Sequence, residues 1–244
     1  MKRSVLITGA SGGIGRALCQ GFKAAGWRVV ATDHGPAKKL GDVYVQQDLV
    51  GLKSGEIRRA FAAKVRAATR QAPLAAILNN AAIQQLNPTS AVQVDEWETS
   101  LTVNLVAPFL LVQEFLPELE KSKGAVINIA SIHAGLTKPG FVVYATTKAA
   151  LAGMTRALAI DLGPRVRVNA ICPAAISTPM LEAGFEGRSK ARKQLDEFHP
   201  AGRIGAPEEV ARLAVFMASG EVGFLHGSCV GLDGGISGRL HDPA

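Results

Sequence analysis

Short apolar runs, each closed by a polar or glycine-rich segment, alternate with stretches whose apolar positions recur every three or four residues. The short runs read as buried strands and the longer stretches as helices with one apolar face. Runs at 4–8, 28–32, 43–47, 74–79, 125–130, 166–171 and 228–232 predict strands. Helical patterns separate most of them, at about 13–25, 54–69, 95–120, 142–162 and 207–219. Pro108 and Pro117 should kink or break the long central helix, because a proline has no N–H for the turn before it. Pro207 suits the first turn of the last helix. Only residues 34–42 join the second and third strands, scarcely enough for a crossover helix, so a single turn or none is expected there. Strands separated by helices imply parallel pairing and right-handed crossovers. The fold expected is α/β, a doubly wound parallel sheet with helices on both faces. There is no internal repeat or linker-like stretch, so residues 1–244 are expected to form one domain.

The pattern also positions chemistry. The run at 125–130 delivers Ser131 to the carboxyl end of a strand, where open α/β sheets hold their active sites. On the helix that comes next, Tyr144 and Lys148 are four apart and share a face. A phenol beside an ammonium makes a base: free tyrosine titrates near ~10, and lowering that by about 3 units takes roughly 4 kcal/mol of differential interaction. Tyr-x-x-x-Lys alone is weak. Ser131, thirteen positions before Tyr144, strengthens it, and so does the first turn of the chain.

That turn carries Gly9, Gly13 and Gly15 between a strand and a helix. Missing side chains admit a pyrophosphate to the backbone, and the helix N-terminus faces its charge. Asp33 closes the next strand, where a carboxylate accepts hydrogen bonds from the adenosine ribose and repels a 2′-phosphate. Neither Ser11, Gly12 nor His34 supplies the Arg or Lys that a phosphate would need, and Lys38 and Lys39 are the only nearby bases. NAD is therefore favoured over NADP.

Composition narrows the classes. Apolar residues make up 48% of the chain, enough for a substantial core. The net charge of +7 invites a nucleic-acid partner, but the basic residues are scattered and aromatics are only 5%. The densest basic run, Arg188, Lys190, Arg192 and Lys193, reads as a solvated helix face. Cys19, Cys172 and Cys229 lie far apart and read as small core residues of a reducing compartment. No signal peptide, membrane span or metal-ligand spacing stands out, so a cytoplasmic protein with no membrane, nucleic-acid or metal partner is expected.

From residue 5 to residue 235 these motifs, in this order, resemble the short-chain dehydrogenase/reductase family. The turn is Thr8, Gly9, Gly13 and Gly15; an N-N-A-G motif appears as Asn79-Asn80-Ala81-Ala82; and a P-G-x-[IV]-x-T motif appears as Pro173-Ala174-Ala175-Ile176-Ser177-Thr178. Ala82 and Ala174 replace family glycines. The resemblance implies an NAD-dependent oxidoreductase of secondary alcohols or ketones. Tyr144 is its implied acid/base, Ser131 holds the reacting oxygen, Lys148 lowers the tyrosine pKa and binds the nicotinamide ribose, and Asn104 completes a proton path. Ser11, Ile14, Asp48, Leu49, Asn80, Ala81, Pro173, Ile176 and Thr178 are implied at the cofactor, with the glycines, Asp33, Tyr144 and Lys148. A lid at about 178–205 and a homotetramer are implied too, with small residues Ala149, Ala152, Gly153 and Ala159 at hand for helix contacts. Gln84 and His133 match carboxylate-binding positions of 3-hydroxybutyrate dehydrogenases, with Lys138 near a third. This points to a small hydroxy acid, against a neutral polyol, sugar or cyclic alcohol. A binding protein that senses a dinucleotide without turning it over is the reading from another class.

Overall fold

The computed structural model describes residues 2–36 and 40–240. Its strands are β1 (Ser4–Thr8), β2 (Arg28–Asp33), β3 (Val43–Gln46), β4 (Leu74–Asn79), β5 (Ala125–Ile129), β6 (Arg167–Pro173) and β7 (Cys229–Leu232). They form one parallel sheet in the order β3-β2-β1-β4-β5-β6-β7. The helices are α1 (Gly13–Ala24), α2 (Gly55–Ala68), α3 (Val94–Leu101), α4 (Ala107–Glu114), α5 (Leu116–Ser122), α6 (Val142–Leu162), α7 (Pro179–Ala183), α8 (Ser189–Phe198) and α9 (Pro207–Ser219). This is the Rossmann arrangement anticipated from the sequence.

Strand alternation builds two cores. Val5, Ile7, Val29 and Ala31 point to one face, where α1 and α9 supply Leu18, Phe22, Val210 and Ala214. Leu6, Val30, Ile77 and Val126 point to the other, beneath Phe61 of α2, Leu111 of α4 and Leu158 of α6. Both faces are covered, so the strands are nearly all apolar. The approach of α1 to α9 depends on Gly21, where an added Cβ would lie 3.1 Å from that of Ala211.

Strand order reverses between β1 and β4, and the crevice outside that switch is where such sheets bind ligands. Thr8 and Asn80 hold it together. The Thr8 hydroxyl accepts from the backbone N–H groups of Asn80 and Ala81, both at 3.0 Å. The Asn80 amide donates to the carbonyls of Thr8 and Gly9 at 2.9 and 3.0 Å.

Two sequence expectations are sharpened. The link between β2 and β3 contains no helix among the described residues, and Lys38 and Lys39 lie outside them. The central helix is broken twice. A π-helical turn at Thr102–Val106 precedes Pro108, and a 63° bend precedes Pro117. Two expectations are revised. In the basic run Arg188, Lys190 and Lys193 are exposed as expected, whereas Arg192 turns aside to bridge Glu182 at 3.0 Å and Asp196 at 2.9 Å. Cys172 and Cys229, distant in sequence, meet across β6 and β7, while Cys19 is core, its thiol pushed up to about 12 chiefly by burial. No single helix among the described residues is long and apolar enough to cross a membrane.

Candidate active site

The carboxyl end of β5 hands over to Ser131, which is extended and almost fully buried. Its hydroxyl accepts from the N–H of His133 at 3.1 Å and hydrogen-bonds the Tyr144 phenol. One turn along α6, Lys148 is buried and donates to the Ile129 carbonyl at 2.7 Å. Its ammonium lies 5.6 Å from the centre of the Tyr144 ring. Ser131, Tyr144 and Lys148 therefore converge at one strand end, as their spacing suggested.

Electrostatically, the corner works against its own charges. Burial holds the Tyr144 phenol above its ordinary value, and the Ser131 hydrogen bond only partly opposes this. The Tyr-x-x-x-Lys spacing predicts that Lys148 lowers that pKa, but in the protein alone burial sets the direction and Ser131 is the group that opposes it. Burial also brings Lys148 down to about 8, with Cys172 acting in the opposite sense. Cys172 is a neighbour that spacing could not reveal. Hydrogen bonding to Cys229 and burial push its thiol up, while that contact and Arg156 favour the Cys229 thiolate.

Asn104, in the π-helical turn, is 1% exposed and its side chain is fully engaged. It accepts from the Ile83 N–H at 2.8 Å, and its amide donates to the Ile83 carbonyl and the Thr147 hydroxyl, both at 2.9 Å. It thus ties the loop after β4 to the helix of Tyr144. Thr147 went unremarked in the sequence; unlike the exposed Thr146 beside it, it is buried.

His133 stacks on Phe141 with ring centres 4.3 Å apart, and both meet Tyr144 edge-on, at 5.9 and 6.2 Å. Burial, and next the charge of Lys138, lower the His133 pKa, so the imidazole is neutral at pH 7. The Lys138 ammonium rests 4.7 Å over the Phe141 ring. Gln84 is exposed and joins this cluster through no hydrogen bond among the described residues. Phe141, passed over for its lack of charge, forms one wall.

The glycine turn faces the same end of the sheet. Gly9 has φ +62°, and a Cβ there would lie 2.7 Å from the Ala81 backbone. A Cβ on Gly13 would meet the Thr178 side chain at 2.7 Å, which brings Thr178 and the base of the α7–α8 segment onto the turn. Ile176 pairs with Gly205 to close that base. The first turn of α1 receives no side-chain cap, so its N–H groups are free for an anion. Gly12 precedes that turn, and Ile14 and the buried Gly15 lie within it. Asp33 accepts from the Ser11 N–H at 2.8 Å. Asp48 caps the next turn through the Val50 N–H at 3.0 Å, above the buried Leu49. Pro173 ends β6 in the same rim. The bare turn, the uncapped amides and the acid at the end of β2 together fit a dinucleotide.

Comparison with known proteins agrees with this geometry. The family described as enoyl-(acyl carrier protein) reductase matches residues 9–237. Protein FixR of Bradyrhizobium diazoefficiens is 36% identical, covering 95% of this chain and 85% of that protein. Ligand-free aldohexose dehydrogenase of Thermoplasma acidophilum superposes with a TM-score of 0.91 at 28% identity, covering 100% of this chain and 97% of the other. A gluconate 5-dehydrogenase of Burkholderia cenocepacia, solved with NADP and tartrate, gives 0.87 at 27% identity over 98% and 97%.

Proposed function

The chain belongs to the short-chain dehydrogenase/reductase family and is an oxidoreductase of alcohol- or ketone-type substrates; we propose that Tyr144 is its acid/base, NAD its preferred cofactor and a neutral, hydroxyl-rich molecule its substrate. One observation carries this reading: the Ser131 hydroxyl, the Tyr144 phenol and the Lys148 ammonium meet at the end of β5, beside the glycine turn.

In this mechanism the Tyr144 oxygen takes the hydroxyl proton of an alcohol, or returns it to a ketone. Ser131 hydrogen-bonds the reacting oxygen and stabilises the charge that develops on it. Bound nicotinamide supplies the hydride acceptor or donor and, when oxidised, a positive ring that favours the phenolate. Lys148 keeps one proton on the Ile129 carbonyl and directs its charge at the phenol. Asn104 contributes its backbone, since its side chain is committed elsewhere.

The substrates named for the two structural neighbours, an aldohexose and gluconate, share several hydroxyls and differ in charge. The neutral His133 and the aromatic wall of Phe141 favour the uncharged class over the hydroxy acid. A hydroxy acid and its amide, compared as substrates, should differ little in kcat/KM; strong preference for the acid would reverse this choice. NAD rests on Asp33 at the ribose position, although a neighbour binds NADP.

Tyr144→Phe should cut turnover by ~10²–10⁴ while leaving NADH binding within about twofold. Near-normal turnover would remove Tyr144 from the role, and a wild-type chain that binds NADH but oxidises no alcohol would favour the dinucleotide sensor. A homo-oligomer, as a tetramer, is part of the same reading. Ala152 and Ala159 are buried within the chain, whereas Val142, Ala149 and Ile160 on α6 and Phe109 on α4 are exposed. Ile160→Glu, at a position 87% exposed, should lower the mass seen by light scattering without loss of fold. An unchanged mass would remove that face from the interface.

A further inference from the structure

The mechanism leaves two thiols unused. Cys229 lies on β7, the last strand of the sheet, and is partly exposed. It pairs with Ala170 while Cys172 pairs with Gly231, so the two cysteines are diagonal neighbours across the ladder. Their thiols hydrogen-bond each other. From α6, Nη1 of the exposed Arg156 lies 3.8 Å from the Cys229 sulfur, and the Cys229 thiol donates to the Ala152 carbonyl at 3.8 Å. When that proton leaves, Arg156 and the Cys172 S–H remain to hold the negative sulfur. Cys172 also faces Lys148 and the Ser131 N–H, so Cys229 stands one residue from the Ser131–Tyr144–Lys148 corner without belonging to it.

We propose that Cys229 is a modification site for small anionic disulfides of the oxidised glutathione kind, and that Arg156 both activates the sulfur and draws the reagent's carboxylates to it. The step is thiol–disulfide exchange. The Cys229 thiolate bonds to one sulfur of the reagent, the S–S bond of the reagent breaks, and the other half leaves as a thiolate that takes a proton from water. Cys229 is oxidised to a mixed disulfide and the departing half is reduced, so the reagent is the only oxidant required. Reactive thiols are accessible and sit beside cations, and Cys229 meets both conditions. The hydrogen bond from Cys172 brings its thiol down to about 6; burial opposes this and Arg156 assists. Among the described residues, the other charged groups near it are Lys148, behind Cys172, and Asp233, past the end of β7 and engaged with Ser237. Cys19 is in the core, and burial pushes its thiol the other way. Cys172 does not complete an internal disulfide. Diagonal neighbours in a sheet lie about 7–8 Å apart, beyond the roughly 4.4–6.8 Å between Cα atoms that a disulfide spans. The mixed disulfide therefore persists until an external thiol removes it.

The test treats the native chain with oxidised glutathione at pH 7 and follows intact mass, with peptide mapping of the product. One adduct per chain should form, on Cys229, and a reducing thiol should remove it. Arg156→Gln, at an exposed position, should slow this reaction by about fivefold or more. It should slow alkylation by neutral iodoacetamide less, since only the disulfide carries carboxylates to attract. Arg156→Lys, which keeps the charge, should restore most of the rate. In the wild type, iodoacetamide should label Cys229 with a midpoint at about pH 6, against about 8.5 for an ordinary thiol. No adduct on the native protein, an adduct on Cys19 or Cys172 instead, or an unchanged rate in Arg156→Gln would overturn the inference. So would an adduct that gives way to a Cys172–Cys229 disulfide. Thermal unfolding of each variant verifies that its fold is intact.

Discussion

The glycine turn and the Ser131–Tyr144–Lys148 corner face the same crevice but are built by opposite means. The turn works by what is missing: no Cβ at Gly9, Gly13 or Gly15, and no side chain capping α1. The groups it offers are backbone amides, whose hydrogen-bonding capacity does not depend on pH. The corner works by what is buried. A phenol and an ammonium are held where desolvation disfavours the charged state of each, opposed mainly by Ser131 and Cys172. A site made from backbone is specified by shape and fails when atoms are added. A site made from buried polar groups is unstable by construction and fails when atoms are taken away.

Adding one methyl to the turn should have the largest effect. A Cβ at Gly15 would lie 2.8 Å from the Ala10 Cα and closer still to the Gly9 carbonyl, all of it backbone. Gly15→Ala should lower stability by about 3 kcal/mol or more and abolish binding of both dinucleotides, as denaturant unfolding and calorimetry will read. Normal binding would mean that the turn is not shaped as described.

Removing charge from the corner should act the other way. Lys148 titrates at about 8 in the folded chain against an ordinary 10.5. Between those values the unfolded chain binds more protons, so folding stability rises with pH across that window. Below it, the burial penalty is fully present. Lys148→Met should therefore be inactive yet more stable at pH 7, by on the order of 3 kcal/mol, with the gain fading as pH passes from 8 to above 10.5. A destabilised variant at pH 7 would show that the Ile129 hydrogen bond outweighs desolvation.

The smallest effect concerns His133. Its lowered pKa means that the unfolded chain protonates first, so the residue subtracts stability as pH falls through the imidazole range. His133→Phe should remove that part of the acid sensitivity, a difference below about 1 kcal/mol because the ring is only half-buried. Parallel pH–stability curves for the two proteins would contradict the shift.

Periodicity sufficed for the sheet because both faces are covered, which makes the central strands nearly continuous apolar runs. It also located Ser131, Tyr144 and Lys148, since a strand end and a four-residue helical spacing are local facts. What escaped was non-local. Cys172 and Cys229 are 57 positions apart and meet only because β6 pairs with β7. The His133–Phe141 stack depends on how a loop folds back, which alternation does not encode. The sign of the Tyr144 shift depends on burial depth, a property of the assembled protein rather than of the Tyr-x-x-x-Lys spacing. The break at Pro117 was legible, whereas the π-helical turn before Pro108 took the form of an extra residue per turn that no composition signals.

Asn104 fastens the backbone of Ile83 to Thr147 with bonds of 2.8 and 2.9 Å, and so works as a rivet between the loop after β4 and α6. A molecule that displaces the loop after β4 must carry the Tyr144 helix with it or break either the two bonds to Ile83 or the one to Thr147. The loop after β4 and the Tyr144 helix are therefore held in one register, so that a shift of the first is resisted by the second.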